Sequence, residues 1–315
     1  MSYQKVLVTG GVGFIGSNLC NSLISQDIDV VIFDNGFRTG FDDFSLKPNM
    51  EIIQGDITKI EDWQKIPNDI DFVYHLGAIN GTKFFYEIPD EVLRVNTMGT
   101  FNMLNWLSAS SAKGFFFASS SEVYGYPKKF PTPESEEMSI PDPTNPRFSY
   151  SSSKIMGEML CINFAKKYGI PYRIGRFHNI YGPRMGYEHV IPQFICRLVK
   201  NEVFTVQGNG SESRCFCYID DAINAIKLIS ESESTKNQIF NIGTCEETTI
   251  RSLITSLESV SGEKIGPKFS EFSQAGTNRR VPDIQKLQKI GYSPKFSLCD
   301  GLKITYEWYK KNCNV

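Results

Sequence analysis

What the chain has little of narrows its function first. It carries no surplus of either charge: 33 Lys plus Arg face 35 Asp plus Glu, a formal net charge of −2, which argues against a nucleic-acid or polyanion binder. No apolar run approaches the roughly 20 residues that cross a bilayer, and no basic-then-apolar leader precedes the first strand-like run. A cytoplasmic protein with no membrane partner is expected. The eight cysteines (20, 161, 196, 215, 217, 245, 299 and 313) are scattered, only Cys215 and Cys217 lying close together. Neither a metal site nor a disulfide framework is expected from that spacing, and the thiols read as reduced and structural. There is no internal repeat and no low-complexity tract. What remains is 315 residues, 41% of them hydrophobic, enough to bury a large core as one enzyme-sized unit with a lobe.

What is present begins at the N-terminus. Lys5-Val6-Leu7-Val8 is a short β-rich run, Gly10, Gly13 and Gly16 follow at once, and Ser17 to Ile24 then has a helical period. Strand, tight turn, helix is the context in which such glycines let a backbone approach a pyrophosphate and offer it N–H groups and the positive end of a helix. A second strand-like run, Val30 to Phe33, ends in Asp34, placed to bind the two ribose hydroxyls of an adenosine and to repel a 2′-phosphate; NAD is expected over NADP. Arg38 is the counter-signal, read as a loop cation. Far downstream, Tyr150 and Lys154 sit one helical turn apart, a spacing at which the ammonium can stabilise a phenolate whose unperturbed pKa is about 10. Tyr306 and Lys310 repeat the spacing near the C-terminus and read as a solvated helix face.

Further strand-like runs at 51–53, 71–75, 114–118, 171–176 and 238–242 alternate with helical patterns. This predicts an α/β fold, a Rossmann-type doubly wound parallel sheet with a smaller mixed α/β substrate lobe at the C-terminus. The expected division is 1–176, with a late strand near 237–242, against 177–315. Asp34, Asp56, His75, Ser119 to Ser121 and Phe177 to Asn179 each follow a strand, where ligands bind in such sheets. His75 reads as a packed strand-end histidine.

In order along the chain stand Gly10-x-x-Gly13-x-x-Gly16, Asp34-Asn35, Gly55-Asp56-Ile57, His75-Leu76-Gly77-Ala78, Asn96-Thr97-Met98-Gly99-Thr100, Ser119-Ser120-Ser121-Glu122-Val123-Tyr124-Gly125, Tyr150-x-x-x-Lys154, Asn179-Ile180-Tyr181-Gly182-Pro183 and Arg280-Val281-Pro282-Asp283-Ile284. Over nearly its whole length the chain thereby resembles the extended short-chain dehydrogenase/reductase family, in particular its NAD-dependent nucleotide-sugar epimerases, dehydratases and decarboxylases.

The resemblance implies that Tyr150 takes the proton of a sugar hydroxyl, usually at C4, as hydride leaves that carbon, with Lys154 holding the phenolate and Ser120 bonded to the reacting oxygen. It implies a cofactor site of Gly10, Gly13, Phe14, Ile15, Gly16, Asp34, Asn35, Asp56, Ile57, Leu76, Ala78, Asn96, Ser119 and Phe177. It implies a nucleotide-diphosphate sugar held by Ser121, Asn179, Val190, Gln207, Arg214 and Arg280, and no metal. Cys215-Phe216 stands where the family usually has Asp-Phe, which loosens the carry-over of base and sugar contacts. A homodimer through the helix around 96–107 and the helix of Tyr150 is expected. Glu122, after Ser120-Ser121, is the candidate acid or base at the sugar, or else a brace for its own loop; Ser-Glu here is the pattern of the family's decarboxylases and GDP-mannose-type dehydratases. After oxidation at C4, the ketone is dehydrated, decarboxylated, epimerised or, in a plain 4-dehydrogenase, released. The base and the sugar stay open. From other classes, a non-catalytic NAD sensor would need no Tyr150, Lys154 and Ser120 together, and a reductase of apolar alcohols would need no Asn179, Arg214 and Arg280.

Overall fold

A computed structural model describes residues 3–38, 40, 41, 44–270 and 279–313. The apolar runs form strands β1 (Lys5–Thr9), β2 (Asp29–Asp34), β3 (Met50–Gln54), β4 (Phe72–His75), β5 (Phe115–Ser120) and β6 (Tyr172–Phe177). Between them lie α1 (Phe14–Ile24), α2 (Ile60–Trp63), α3 (Thr82–Glu87), α4 (Pro89–Ala109) and α5 (Ser149–Tyr168). The strand Gln238–Ile242 completes a seven-stranded sheet in the order Gln238–Ile242, β6, β5, β4, β1, β2, β3, with parallel registers from β6 through β3. β1 lies between β2 and β4, so the chain winds outward in both directions from it; the carboxyl ends of β1 and β4 flank the crevice where the winding reverses.

Period-two alternation explains how both faces are covered. Leu7, Val31, Phe33, Val73, Phe115, Phe117 and Ile174 point one way and pack with Trp63, Met103, Leu104, Leu107, Cys161 and Phe164. Val6, Val8, Val30, Ile32, Phe72, Tyr74 and Phe116 point the other way and are as fully buried, as a parallel sheet under helices requires.

The chain divides into two compact units: one of 1–125, 138–177 and 223–240, which holds the large sheet, and one of 126–137, 178–222 and 241–315. The second is built from short pieces. Ile180–Tyr181 pairs with Cys217–Tyr218, Thr205–Gln207 with Lys268–Ser270, and Ser213–Cys215 lies between Glu247–Thr249 and Arg279–Arg280. The helices Val190–Val199 and Leu298–Asn312 are joined by a disulfide, Cys196–Cys313, with Cα atoms 5.6 Å apart. This corrects the reading of all eight cysteines as reduced: the partners are 117 residues apart, and only the packing of two helices brings them together. Tyr306 is also not on a solvated face; it is buried, and only Lys310 of that pair is exposed.

Candidate active site

The glycine turn has no room for side chains. Gly10 takes a positive φ of 70°, and a Cβ on Gly16 would stand 2.1 Å from the Gly10 carbonyl oxygen, so the turn and the start of α1 touch backbone to backbone. Gly13 caps α1 without a side-chain hydrogen bond, leaving first-turn N–H groups for a ligand anion. Phe14 and Ile15 are the first residues of α1.

Asp34 ends β2 beside this turn. Its Oδ2 accepts from Val12 N–H at 3.0 Å and its Oδ1 from Gly36 N–H at 2.9 Å. Burial pushes its carboxyl pKa up, and these backbone bonds pull against that shift. Each oxygen keeps lone pairs for a further donor, so two ribose hydroxyls fit. Asn35 is exposed and accepts from Phe37 N–H, and Arg38 donates to the Asn80 carbonyl at 2.9 Å. Cradle, anion-seeking helix start and a strand-end acid with lone pairs to spare together fit a dinucleotide.

At the carboxyl end of β5, Ser120 caps the 3₁₀ turn Ser121–Tyr124 by accepting from Glu122 N–H at 3.2 Å, and its hydroxyl lies close enough to the Tyr150 phenol to favour its anion. Tyr150, buried in the first turn of α5, stacks on Phe85 with ring centroids 4.9 Å apart. One turn on, buried Lys154 donates to the Ala118 carbonyl at 2.8 Å, its Nζ 5.6 Å from the Tyr150 ring centroid. Burial lowers the Lys154 pKa to about 8 and raises that of Tyr150; the Ser120 hydroxyl and, more weakly, the Arg38 charge counter the rise. Tyr150 is a phenol at rest, and an added cation would be needed to ionise it. Glu122 faces Arg147, with Arg147 Nη2 3.7 Å from its Oε1, and Ser121 is buried.

The remaining cofactor candidates shape this region mainly through the backbone. Asp56 accepts from both N–H and hydroxyl of Thr58, turning the chain, while the Ile57 carbonyl takes bonds from Trp63 and Asn102. Leu76 donates its N–H to Thr9, and Ala78 follows in the same loop. Buried Asn96 clamps Ile79 through both its amide groups and donates to Ser153, whose hydroxyl bonds the Tyr150 carbonyl. His75 lies buried between Thr9 and Thr100, and burial lowers its pKa to about 3, so it stays neutral. Phe177 ends β6, its ring 6.2 Å from that of Phe116.

Sequence reasoning missed Arg147, Phe85 and a buried ion pair. Glu158, fully buried one turn beyond Lys154 on the same face of α5, takes both forks of the Arg176 guanidinium at 2.9 and 2.7 Å and the Ser119 hydroxyl. The i, i+4, i+8 series of Tyr150, Lys154 and Glu158 was the available signal.

In the second unit, Asn179 takes a positive φ of 42°, and its buried Nδ2 has no hydrogen-bond partner among the described residues. Arg214 and Arg280 are register partners on parallel strands, so their side chains leave the same face from adjacent positions. Arg214 also donates to the Ser213 carbonyl at 2.7 Å. Val190 opens the helix Val190–Val199; Gln207 is placed only by its backbone, at the end of Thr205–Gln207. Two adjacent cations and an orphaned amide donor suit an anionic ligand.

Comparison with known proteins follows the same lines. A model of the NAD dependent epimerase/dehydratase family matches residues 6–243. UDP-glucuronic acid decarboxylase 5 of Arabidopsis thaliana is 31% identical over 100% of this chain and 92% of its own length. Among solved structures, UDP-glucose 4-epimerase of Thermotoga maritima with UDP-glucose has a TM-score of 0.89 at 31% identity, covering 98% of this chain and 99% of that one. UDP-glucuronic acid 4-epimerase of Bacillus cereus, in complex with UDP-glucuronic acid and NAD, has the same TM-score, identity and coverage.

Proposed function

The chain belongs to the NAD dependent epimerase/dehydratase family, and from that premise we propose that it oxidises C4 of a UDP-linked sugar and then decarboxylates or epimerises the 4-keto species. The observation that carries the reading is the convergence of Ser120 on the Tyr150 phenol while Lys154 lies beneath the same ring.

NAD, when bound, would supply the acceptor and then the donor of a hydride for the sugar carbon. The glycine turn of Gly10, Gly13 and Gly16 and the start of α1 at Phe14 and Ile15 would hold its pyrophosphate, and Asp34 its adenosine ribose. Asn35, Asp56, Ile57, Leu76, Ala78, Asn96, Ser119 and Phe177 would line the rest of that groove. Tyr150 takes the C4 hydroxyl proton on its phenolic oxygen, Ser120 fixes the sugar oxygen in line, and Lys154, anchored on the Ala118 carbonyl, holds the phenolate. The ketone acidifies C5, and Glu122 moves a proton there. Arg214, Arg280 and Asn179 hold the diphosphate, with Ser121, Val190 and Gln207 at the sugar and base. Exposed Leu93, Met98 and Phe101 on α4 and Met156 and Met159 on α5 give the apolar stripe through which two copies pair as a homodimer, checked by light scattering.

The deciding experiment runs UDP-sugars with the enzyme in heavy water and reads products by mass spectrometry. Deuterium at C5 with loss of carbon dioxide identifies a decarboxylase, unchanged mass with inverted C4 an epimerase, and two hydrogens lost with accumulating NADH a plain 4-dehydrogenase. If no 4-keto species can be trapped from any nucleotide sugar, the reading fails. Glu122→Gln is expected to block proton transfer at C5 while sparing hydride transfer.

A further inference from the structure

Arg147 sits in the 3₁₀ turn Pro146–Phe148, which runs directly into α5, three residues before Tyr150. The Asn145 side chain accepts from its backbone N–H at 3.0 Å and fixes that turn. The Arg147 side chain is only 15% exposed, and its described side-chain contact is Glu122, at 3.7 Å. That separation lets the charges attract but is too long for a hydrogen bond. A guanidinium carries five N–H donors in a rigid fork and is costly to bury with those donors unsaturated. Glu122 in turn belongs to the 3₁₀ turn that Ser120 caps. Cation and carboxylate are therefore fixed to the two backbone segments that carry Tyr150 and Ser120.

We propose that Arg147 binds a carboxylate on C5 of the sugar, and so selects a nucleotide-linked uronic acid over the corresponding neutral hexose. The inference rests on the reading that Tyr150 takes the C4 hydroxyl: with O4 held there, the substituent on C5 is the next group around the ring. A hydroxymethyl group needs no cation at that place. A carboxylate does, because Glu122 would otherwise repel it, and a planar fork meets its two oxygens with parallel bonds. Entry of the sugar carboxylate would replace one long contact by short charge-assisted bonds and leave Glu122 beside C5, where a proton must move. Arg147 thus governs which sugar enters; loss of carbon dioxide or return of the hydride is decided afterwards.

The test uses the NAD-loaded enzyme with UDP-glucuronic acid and UDP-glucose, measuring kcat/KM for each by product mass spectrometry. Wild type is expected to favour the acid, and Arg147→Gln to lower the acid-to-neutral ratio about 10- to 100-fold, the worth of hydrogen bonds to a charged group. Arg147→Lys, which keeps the charge but not the fork, is expected to fall between them. A purely structural arginine would slow both sugars alike, and an unchanged ratio in both variants overturns the proposal. So does a wild type that oxidises UDP-glucose and refuses UDP-glucuronic acid, a result that would leave the Tyr150 reading intact. Failure to oxidise either sugar overturns the proposal, and the Tyr150 reading falls with it only if no other nucleotide sugar is oxidised. Should Arg147→Gln fold poorly, the Arg147→Lys ratio decides alone.

Discussion

The surroundings of Tyr150 and those of Asn179 are built on opposite terms. Around Tyr150, Ser120 neighbours the phenol, Phe85 covers the ring, the Ala118 carbonyl anchors Lys154, and Asn96 reaches the backbone through Ser153. Behind these, Glu158, Arg176 and Ser119 form a buried hydrogen-bonded network. In the second unit Asn179 keeps a buried amide donor with no partner among the described residues, and Arg214 and Arg280 occupy adjacent register positions. A reacting centre gains from groups fixed before the substrate arrives, since reorganising them would add to the barrier. A binding surface can keep a polar group waiting for a partner that the ligand supplies.

Four measurements would break or sharpen that contrast. The largest effect is expected from Tyr150→Phe, which removes the proton acceptor and leaves the cradle alone; sugar-dependent NAD reduction should fall about 100- to 10,000-fold with NAD affinity nearly unchanged. Substantial turnover in stopped-flow absorbance would remove Tyr150 from the chemistry, and Tyr306→Phe is the matched control. Next, Arg214→Ala and Arg280→Ala should each weaken UDP-sugar binding by about 1.5–3 kcal/mol with little change in NAD binding. Calorimetry giving wild-type affinity in both would mean that the second unit is not the diphosphate site.

A smaller effect is expected at Asp34. NAD should bind at least about tenfold more tightly than NADP, roughly 1.4 kcal/mol, and Asp34→Ala should narrow the gap. Equal affinities in the wild type would point to Arg38 as a 2′-phosphate partner. The gentlest is a pH dependence. Lys154 sheds its proton as pH rises through about 8, so oxidation of the sugar should decline above that point, and Lys154→Arg should move the decline upward. Between about 8 and the 10.5 of an ordinary lysine, the unfolded chain keeps a proton that the folded one has lost, so stability should rise with pH while activity falls. Thermal melts and rates measured across that window would separate the two, and a parallel decline of both would refute the assignment.

The same contrast explains what was legible in the residues alone. Gly10, Gly13 and Gly16, Asp34, and the pair of Tyr150 and Lys154 depend on strand–turn–helix geometry or on one helical turn, so neighbouring residues announce them. The parallel sheet was legible because fully buried strands read as unbroken apolar runs between helical patterns. Arg147 opposite Glu122, the Glu158–Arg176–Ser119 network and the Cys196–Cys313 bond all join residues that only packing brings together. The second unit was least legible: its strands are two or three residues long, too short for a period to show, and it takes back 126–137 from the middle of the first. That Arg214 faces Arg280 follows from a register that no spacing encodes.

The double grip of Asp34 on Val12 and Gly36 also bears on how this lineage could change. The residue that would choose the cofactor is also the clasp of the glycine turn, with each bond to its carboxylate contributing about 1.5–3 kcal/mol. A drift toward NADP cannot pass through this position alone: whatever replaces the acid opens the loop before it gains a phosphate partner. A redesign for NADP should therefore first introduce a second tie between the Val12 and Gly36 loops, and only then exchange the acid.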